Sequence, residues 1–239
     1  MDALTAATES AAAVSTIGSH FMLDPATFAA GTGVGFSGFD FYFAGRGGAL
    51  GDVSGDVVAA AFTFFEPGMV RTQWELGRQV MAPADAAKAF TGCLVTWAGD
   101  KVSDDIDAAR LAELAAKVAA GTNPAAAPMF AAWRGMEAPA DPKAAAVFQL
   151  NVLRELRNGL HGAAVISSGL TPAQAVAHRS PHMAPLFGWG EVDMTGVPEV
   201  WDGAEAATDV AMAHAFETLD DAERAEFTEL ANQLHTTCA

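Results

Sequence analysis

The stretch DPKAAAVFQLNVLRELRNGLHGAAVIS, residues 141–167, decides the fold class of this chain. It begins with aspartate followed by proline. This is a strong helix start, because the carboxylate can cap free backbone N–H groups and proline fits the first helical turn. Apolar residues then recur at helical spacing. The stretch predicts one long helix from Asp141 to Ser167.

Helical patterns recur on both sides of this stretch, and no segment is typical of a strand. Gly18 and Gly45 are interpreted as the ends of the first two helices. The helices predicted before residue 141 cover 2–16, 39–45, 55–66, 67–80, 84–98 and 104–120. Those after residue 167 cover 171–178, 204–217 and 220–235, with loops over 124–139 and 181–198.

The fold class is therefore predicted to be all-α, a compact multi-helix bundle with no significant sheet. We expect a single helical domain over residues 1–239, within which residues 169–239 can form a C-terminal subdomain. Hydrophobic residues make up 51% of the chain and charged residues 18%, so the composition favours a large core over disorder.

The chain is strongly acidic. Asp and Glu number 29 against 13 Lys and Arg, which gives a formal net charge of −16. Such a field repels phosphate backbones and anionic lipid surfaces, so we expect neither nucleic acid nor a membrane as a partner. The first twenty residues lack Lys and Arg, and the longest uncharged stretch, residues 158–178, is interrupted by glycine and proline. These features predict a cytoplasmic protein without a secretory signal or a membrane span.

Three basic side chains of the long helix form the first candidate site. Arg154, Arg157 and His161 fall at positions i, i+3 and i+7, so they share one face. Two guanidinium groups can hold a carboxylate or phosphate, and His161 can transfer a proton. Glu155 lies beside them, and we assign His161 and Glu155 as the catalytic candidates. The alternative is a solvated face with local ion pairs.

A second candidate site surrounds Arg46. Glycines precede and follow this arginine, so a ligand can approach the backbone closely while the guanidinium supplies charge. The alternative is a helix C-terminus at which the arginine complements the helix dipole. Tyr42, one turn earlier, and Trp189, in the loop of residues 181–198, complete the predicted ligand-binding set with Arg154 and Arg157.

A metal or haem site is a further hypothesis. His178 and His182 have the four-residue spacing of a zinc pair, and His161 could add a third ligand. Pro181 opposes this hypothesis because it should break the helix that would align the pair. We therefore assign no metal-binding residues, and the cofactor stays unknown.

Three segments carry a resemblance to a known family. YFAGR (residues 42–46) with LG (50–51) and VS (53–54) is similar to the N-terminal signature of an actinobacterial family catalogued as helix-turn-helix-like. That family is often found near secondary-metabolite genes. LRELRNGLH (153–161) resembles its LREHRGDGH stretch, and EAATD (205–209) is a third match. The resemblance implies a helical fold.

The chain departs from that family in its C-terminal half. Members usually carry a winged-helix-like segment between their Arg-Gly-Trp and Ala-Thr-Asp motifs, whereas here a short loop joins Trp189 to Glu205. The segment associated with DNA binding is therefore expected to be missing.

These observations favour a small-molecule- or cofactor-binding helical protein. One form of this function is an enzyme of specialised metabolism that acts on an apolar substrate with an anionic group, although the residues do not decide whether it is an enzyme. Three alternatives stay open: a transcriptional regulator or its degenerate relative, a metal- or haem-binding protein, and a scaffold or dimerisation module. Association into a homodimer is also left open.

Overall fold

The computed structural model describes residues 1–238, and helices account for 74% of the chain. No strand occurs in that range, so the all-α prediction is confirmed. Short 3-10 turns cover Gly48–Leu50 and Pro181–Met183. The α-helices of the described range are α1 (Ala3–Glu9), α2 (Ala11–Leu23), α3 (Pro25–Gly33), α4 (Phe39–Gly47), α5 (Gly55–Ala61), α6 (Pro67–Val80), α7 (Pro83–Lys101), α8 (Ala108–Gly121), α9 (Pro128–Arg134), α10 (Pro142–Ser167), α11 (Pro172–Arg179), α12 (Val197–Phe216) and α13 (Asp221–Cys238).

Helix α10 is the central element of the bundle. Its predicted start is confirmed: the Asp141 side chain accepts a hydrogen bond from the backbone N–H of Ala144 at 2.9 Å, and Pro142 begins the helix. The helix packs against α2, α7, α8, α9 and α12. Because neighbours lie around so much of its circumference, half of its residues are buried.

Gly18 does not end a helix, as the sequence had suggested. The predicted helix over residues 2–16 is instead divided at Ser10 into α1 and α2, and Gly18 lies in the middle of α2. A Cβ atom at Gly18 would lie 2.7 Å from the Cα atom of Asn151 on α10. The missing side chain therefore lets the two helices approach closely.

Gly45 is a second packing contact that was predicted as a helix end. Helix α4 continues to Gly47, and a Cβ atom at Gly45 would lie 2.5 Å from the ring of Phe90 on α7. The close packing of α4 against α7 requires glycine at this position. It also fixes the direction in which the next residue, Arg46, points.

Several boundaries differ from the predicted ones. Helix α9 lies in a segment predicted as a loop, α3 lies in a segment for which no element was predicted, and α12 begins at Val197, inside the predicted loop. Helix α5 ends at Ala61, so that residues 62–66 form a turn before α6. Glu66 caps α6 by accepting hydrogen bonds from the N–H groups of Gly68 and Met69, at 2.8 and 2.6 Å.

The core of the described residues has two parts. The larger one includes the aromatic side chains of α4 and α7, and the smaller one joins the end of α10 to α11 and α12 through residues such as Val165 and Trp201. The division of the chain into one domain with a C-terminal subdomain over 169–239 stays a prediction. Within residues 1–238, none of the helices combines the length and apolar character that a bilayer span requires.

Candidate functional site

A cavity of about 380 Å³ opens between α2, α4, α10, α11 and α12. The structure brings five of the predicted site residues to its wall: Tyr42 and Arg46 from α4, and Arg154, Arg157 and His161 from α10. Most of the remaining wall is aromatic or apolar, with contributions from Phe39, Phe62, Phe64, Phe65, Phe187, Met183 and Trp201. An apolar chamber with a few convergent polar groups is the usual form of a small-molecule site.

Arg46 and Glu155 form a buried ion pair that joins α4 to α10. The Arg46 Nε and Nη2 groups each donate to one Glu155 carboxylate oxygen at 2.7 Å, and Nη1 donates to the Tyr42 hydroxyl at 3.1 Å. The side chains are 2% and 0% exposed. Arg46 therefore lies at the cavity wall with its charge already paired. Glu155 lies behind the wall.

Both members of this pair stay charged. Burial is the largest single influence on Glu155 and disfavours the carboxylate, but the charges and hydrogen bonds of Arg46 and Arg154 together outweigh it and hold the pKa of Glu155 below its usual value. Burial is likewise the largest influence on Arg46 and acts to lower its pKa, but the charges and hydrogen bonds of Glu155 and Tyr42 together overcome it and raise that pKa. The guanidinium also lies 4.4 Å from the centre of the Phe62 ring, which adds a cation–π contact.

Arg154 shares the same carboxylate. Its Nη1 group donates to Glu155 Oε1 at 3.0 Å, and its side chain is 16% exposed at the cavity wall. Glu155 thus faces two guanidinium groups at once. One positive charge remains uncompensated in this cluster.

Arg157 is held by two carboxylates of α12. Its Nη1 group donates to Asp209 at 2.9 Å and its Nη2 group to Glu205 at 3.1 Å. Glu205 and Asp209 are four residues apart, so they lie on one face of α12. In the sequence they belong to the EAATD segment, and their four-residue spacing is the signal that identifies an arginine-binding pair.

His161 forms a hydrogen bond that fixes its tautomer. Its Nδ1 atom lies 2.9 Å from Thr208 Oγ1, and the Thr208 hydroxyl itself donates to the Ala204 carbonyl at 2.8 Å. The hydroxyl hydrogen is therefore engaged, so Thr208 accepts from an Nδ1–H group. The Nε2 atom is left as the acceptor of the ring.

The surroundings of His161 favour its neutral form. Burial is the largest influence and lowers the pKa of the imidazole. The charges of Arg157 and Arg179 lower it further, while Glu205 and Asp209 act in the opposite direction. The ring is consequently a neutral base at pH 7, as a proton acceptor requires.

Trp189 lies outside the cavity wall and supports it from behind. Its indole Nε1 donates to the Phe64 carbonyl at 2.8 Å, and the Glu66 N–H donates to the Phe187 carbonyl, also at 2.8 Å. The Phe65 and Phe187 rings stack with centroids 4.1 Å apart. Residues 187–189 therefore hold the turn between α5 and α6, whose aromatic side chains form one wall of the cavity.

The three-histidine hypothesis has no structural support. The His178 ring packs on Trp201 with centroids 4.8 Å apart, and His182 is exposed on the turn that begins at Pro181. Across residues 1–238, no group of three or more His, Cys, Asp or Glu side chains has an arrangement that could hold a metal ion.

Helix α6 presents a polar outer face next to this turn. Trp74 is fully buried and anchors the helix through a hydrogen bond from its indole N–H to the Val53 carbonyl at 3.1 Å. On the exposed side, Arg71 pairs with Asp56 at 3.0 Å, and Arg78 pairs with Asp52 at 2.6 Å and with Glu75 at 3.2 Å. This is the one surface of α6 that carries cations.

Comparison with known proteins identifies a family. A family model described as a helix-turn-helix family matches residues 7–197, which is well over half of the chain. No curated protein and no solved structure matches.

This match corrects the prediction that nucleic acid is excluded as a partner, since the helix-turn-helix is a motif that proteins use to bind DNA. The prediction was wrong because it relied on the net charge. Net charge sums over the whole surface, whereas binding to a duplex depends on the cations of one face.

Proposed function

The chain belongs to this helix-turn-helix family, and from that premise we propose that it is a transcriptional regulator that contacts DNA through α6. In a helix-turn-helix unit, two consecutive helices are joined by a short turn, and the second helix enters the major groove. The pair α5 and α6, joined by residues 62–66, lies within the matched range and has this order. In the last helix pair, α12 begins at the final matched residue, Val197, and α13 lies entirely beyond the match.

The outer face of α6 supports this choice of helix. Arg71, Thr72 and Gln79 are exposed, while Val70 and Trp74 face the core. Guanidinium, hydroxyl and amide groups are the side chains that reach phosphates and base edges in a groove. This exposed face of α6 is the observation that carries the proposal.

The carboxylates beside these arginines do not prevent phosphate binding. Asp56, Asp52 and Glu75 are 80%, 72% and 54% exposed. Exposed ion pairs contribute about 0–1 kcal/mol, so a phosphate can replace any of these partners at small cost. Because α6 offers few cations, we expect a shallow dependence of affinity on salt, with a slope that counts only a few phosphate contacts.

The test is a fluorescence anisotropy titration, at low ionic strength, with duplex DNA from the region upstream of the gene. We expect saturable binding that the double variant Arg71→Ala/Arg78→Ala abolishes. The matched control is Lys88→Ala/Lys101→Ala, which removes the same charge from the exposed surface of α7. Absence of binding by the unmodified protein would refute the regulator; equal loss in both double variants would refute the role of α6.

A second function is favoured by the cavity. We propose that the cavity binds a small apolar molecule with an anionic end, and that Arg154, Arg157 and Tyr42 contact this ligand. The supporting observation is that arginine side chains line a chamber whose wall is otherwise mostly aromatic or apolar. If the bound molecule reacts, the neutral His161 can accept a proton at Nε2.

Residues 62–66 take part in both proposed functions. These residues form a wall of the cavity and also connect α5 to α6. A ligand that repositions the aromatic side chains of this turn would change the orientation of α6, and DNA would change the affinity for the ligand by the same factor. Such coupling makes the protein a ligand-responsive regulator.

Native mass spectrometry of the protein purified from its own host tests ligand binding. We expect a retained small molecule that is released on denaturation. Ser15→Phe places a ring in the cavity and should abolish retention, whereas Ala12→Phe, on the exposed side of the same helix, should preserve it. Retention that is equal in both variants would contradict the assignment of the cavity.

A further inference from the structure

The charges at the cavity fall into two clusters with different balances. In the first, Arg157 and the more distant Arg179 face the carboxylates Glu205 and Asp209, so positive and negative charges are equal in number. This cluster is already neutral. A ligand anion gains little there because it would compete with two fixed carboxylates.

The second cluster has an excess of positive charge. Arg46 and Arg154 share Glu155, and Arg46 occupies both carboxylate oxygens at 2.7 Å. Arg154 keeps one hydrogen bond at 3.0 Å, its only one among the described residues, and lies at the cavity wall. Its remaining N–H groups are free to bind a ligand.

The aromatic wall strengthens this preference. A charge near apolar side chains is poorly solvated, so an anion that reaches it gains a charge-assisted hydrogen bond in a medium of low dielectric constant. Only one positive charge is unbalanced, and the chain as a whole carries −16. A dianion would therefore leave one negative charge without a partner inside the cavity, beside Glu205.

We propose that the cavity selects a monoanionic carboxylate with an aromatic or apolar body, and that Arg154 binds the carboxylate while the aromatic turn of residues 62–65 contacts the body. This inference rests on the ligand-binding function proposed above. The sequence-based hypothesis assigned the same ligand-binding role to Arg154 and Arg157, whereas here the carboxylate is assigned to Arg154.

Three probes with one ring system test the selection: 2-naphthoate, 2-naphthamide and 2-naphthyl phosphate, titrated into the full chain by isothermal calorimetry at pH 8. We expect naphthoate to bind about tenfold or more tightly than either of the others, because a charge-assisted bond to arginine is worth about that factor. Arg154→Gln should remove the preference for naphthoate over naphthamide. Lys88→Gln, on the exposed surface of α7 and outside the cavity wall, should preserve it.

The outcomes separate this inference from the function on which it depends. Equal binding of naphthoate and naphthamide by the unmodified protein would overturn the inference and leave the ligand site standing. Tighter binding of the phosphate would overturn it as well. Binding of none of the three probes would refute the ligand site itself. The comparison among probes needs no variant, so it holds even if Arg154→Gln unfolds.

Discussion

The buried pair between α4 and α10 should dominate the stability of the site. Glu155→Gln removes the charge that two arginines share and leaves Arg46, 2% exposed, with an amide in place of its bidentate partner. Breaking a buried ion pair by neutralising one member typically costs about 3–5 kcal/mol, since the other charge stays desolvated. We therefore expect Glu155→Gln to lower the free energy of unfolding by about that amount.

Urea unfolding followed by circular dichroism measures this change, provided that the dependence on urea stays constant between variants. Two controls sharpen it. Asp56→Asn removes a partner from the exposed pair with Arg71 and should change stability by about 1 kcal/mol or less. The double variant Arg46→Met/Glu155→Leu replaces both charges with apolar side chains and should recover most of the loss.

The direction in which stability changes with pH follows from the pKa of Glu155. The pKa of Glu155 is lowered in the folded protein, so the stability that its ionisation contributes is present above the unfolded value of 4.5 and is lost as the pH falls through the folded one. The difference between the unmodified protein and Glu155→Gln should therefore shrink in acid. A loss no larger than that of Asp56→Asn at pH 7 would refute the assignment of a buried, fully charged pair.

Three further predictions concern packing, titration and the turn. Gly18→Ala should lower the free energy of unfolding by about 1–3 kcal/mol, because its Cβ would collide with Asn151; Gly92→Ala on α7, with open space around it, should raise it by about 0.4–1 kcal/mol. Burial lowers the pKa of the His161 imidazole, so below pH 6.5 the unfolded chain takes up a proton that the folded one does not, and the protein loses thermal stability between pH 7 and 5. His161→Gln should abolish this loss; a pH profile of thermal stability that is unchanged in the variant would contradict the assignment. Trp189→Phe removes the indole hydrogen bond to the turn, so amide hydrogen exchange in residues 62–66 should accelerate while exchange in α10 stays slow.

The placement of the candidate site followed from helical periodicity. Arg154, Arg157 and His161 were predicted to share one face of the long helix, and the structure places them at one cavity together with Arg46. The role of each residue did not follow. Arg46 was interpreted as a ligand-binding cation or a helix-end charge, and its guanidinium instead pairs with Glu155, 109 residues away.

The net charge likewise did not predict how individual charges are arranged. The count of acidic and basic residues gave −16 and led to the exclusion of nucleic acid, which the family match corrects. It also gave no sign that a positively charged cluster lies inside the molecule. Which carboxylate faces which arginine depends on the contacts between helices, and composition contains no such information.

The sequence by itself determined the all-α class and the extent of α10, because caps, proline positions and 3.6-residue periodicity act within a few residues along the chain. Only the tertiary structure decided what glycine does at positions 18 and 45. Each was consistent with a helix end, and each is instead a point where a neighbouring helix approaches too closely for a side chain. The same dependence on distant helices made Arg154 the arginine with unbalanced charge, since the partners of Arg46, Arg154 and Arg157 were fixed only when α4, α10 and α12 packed together.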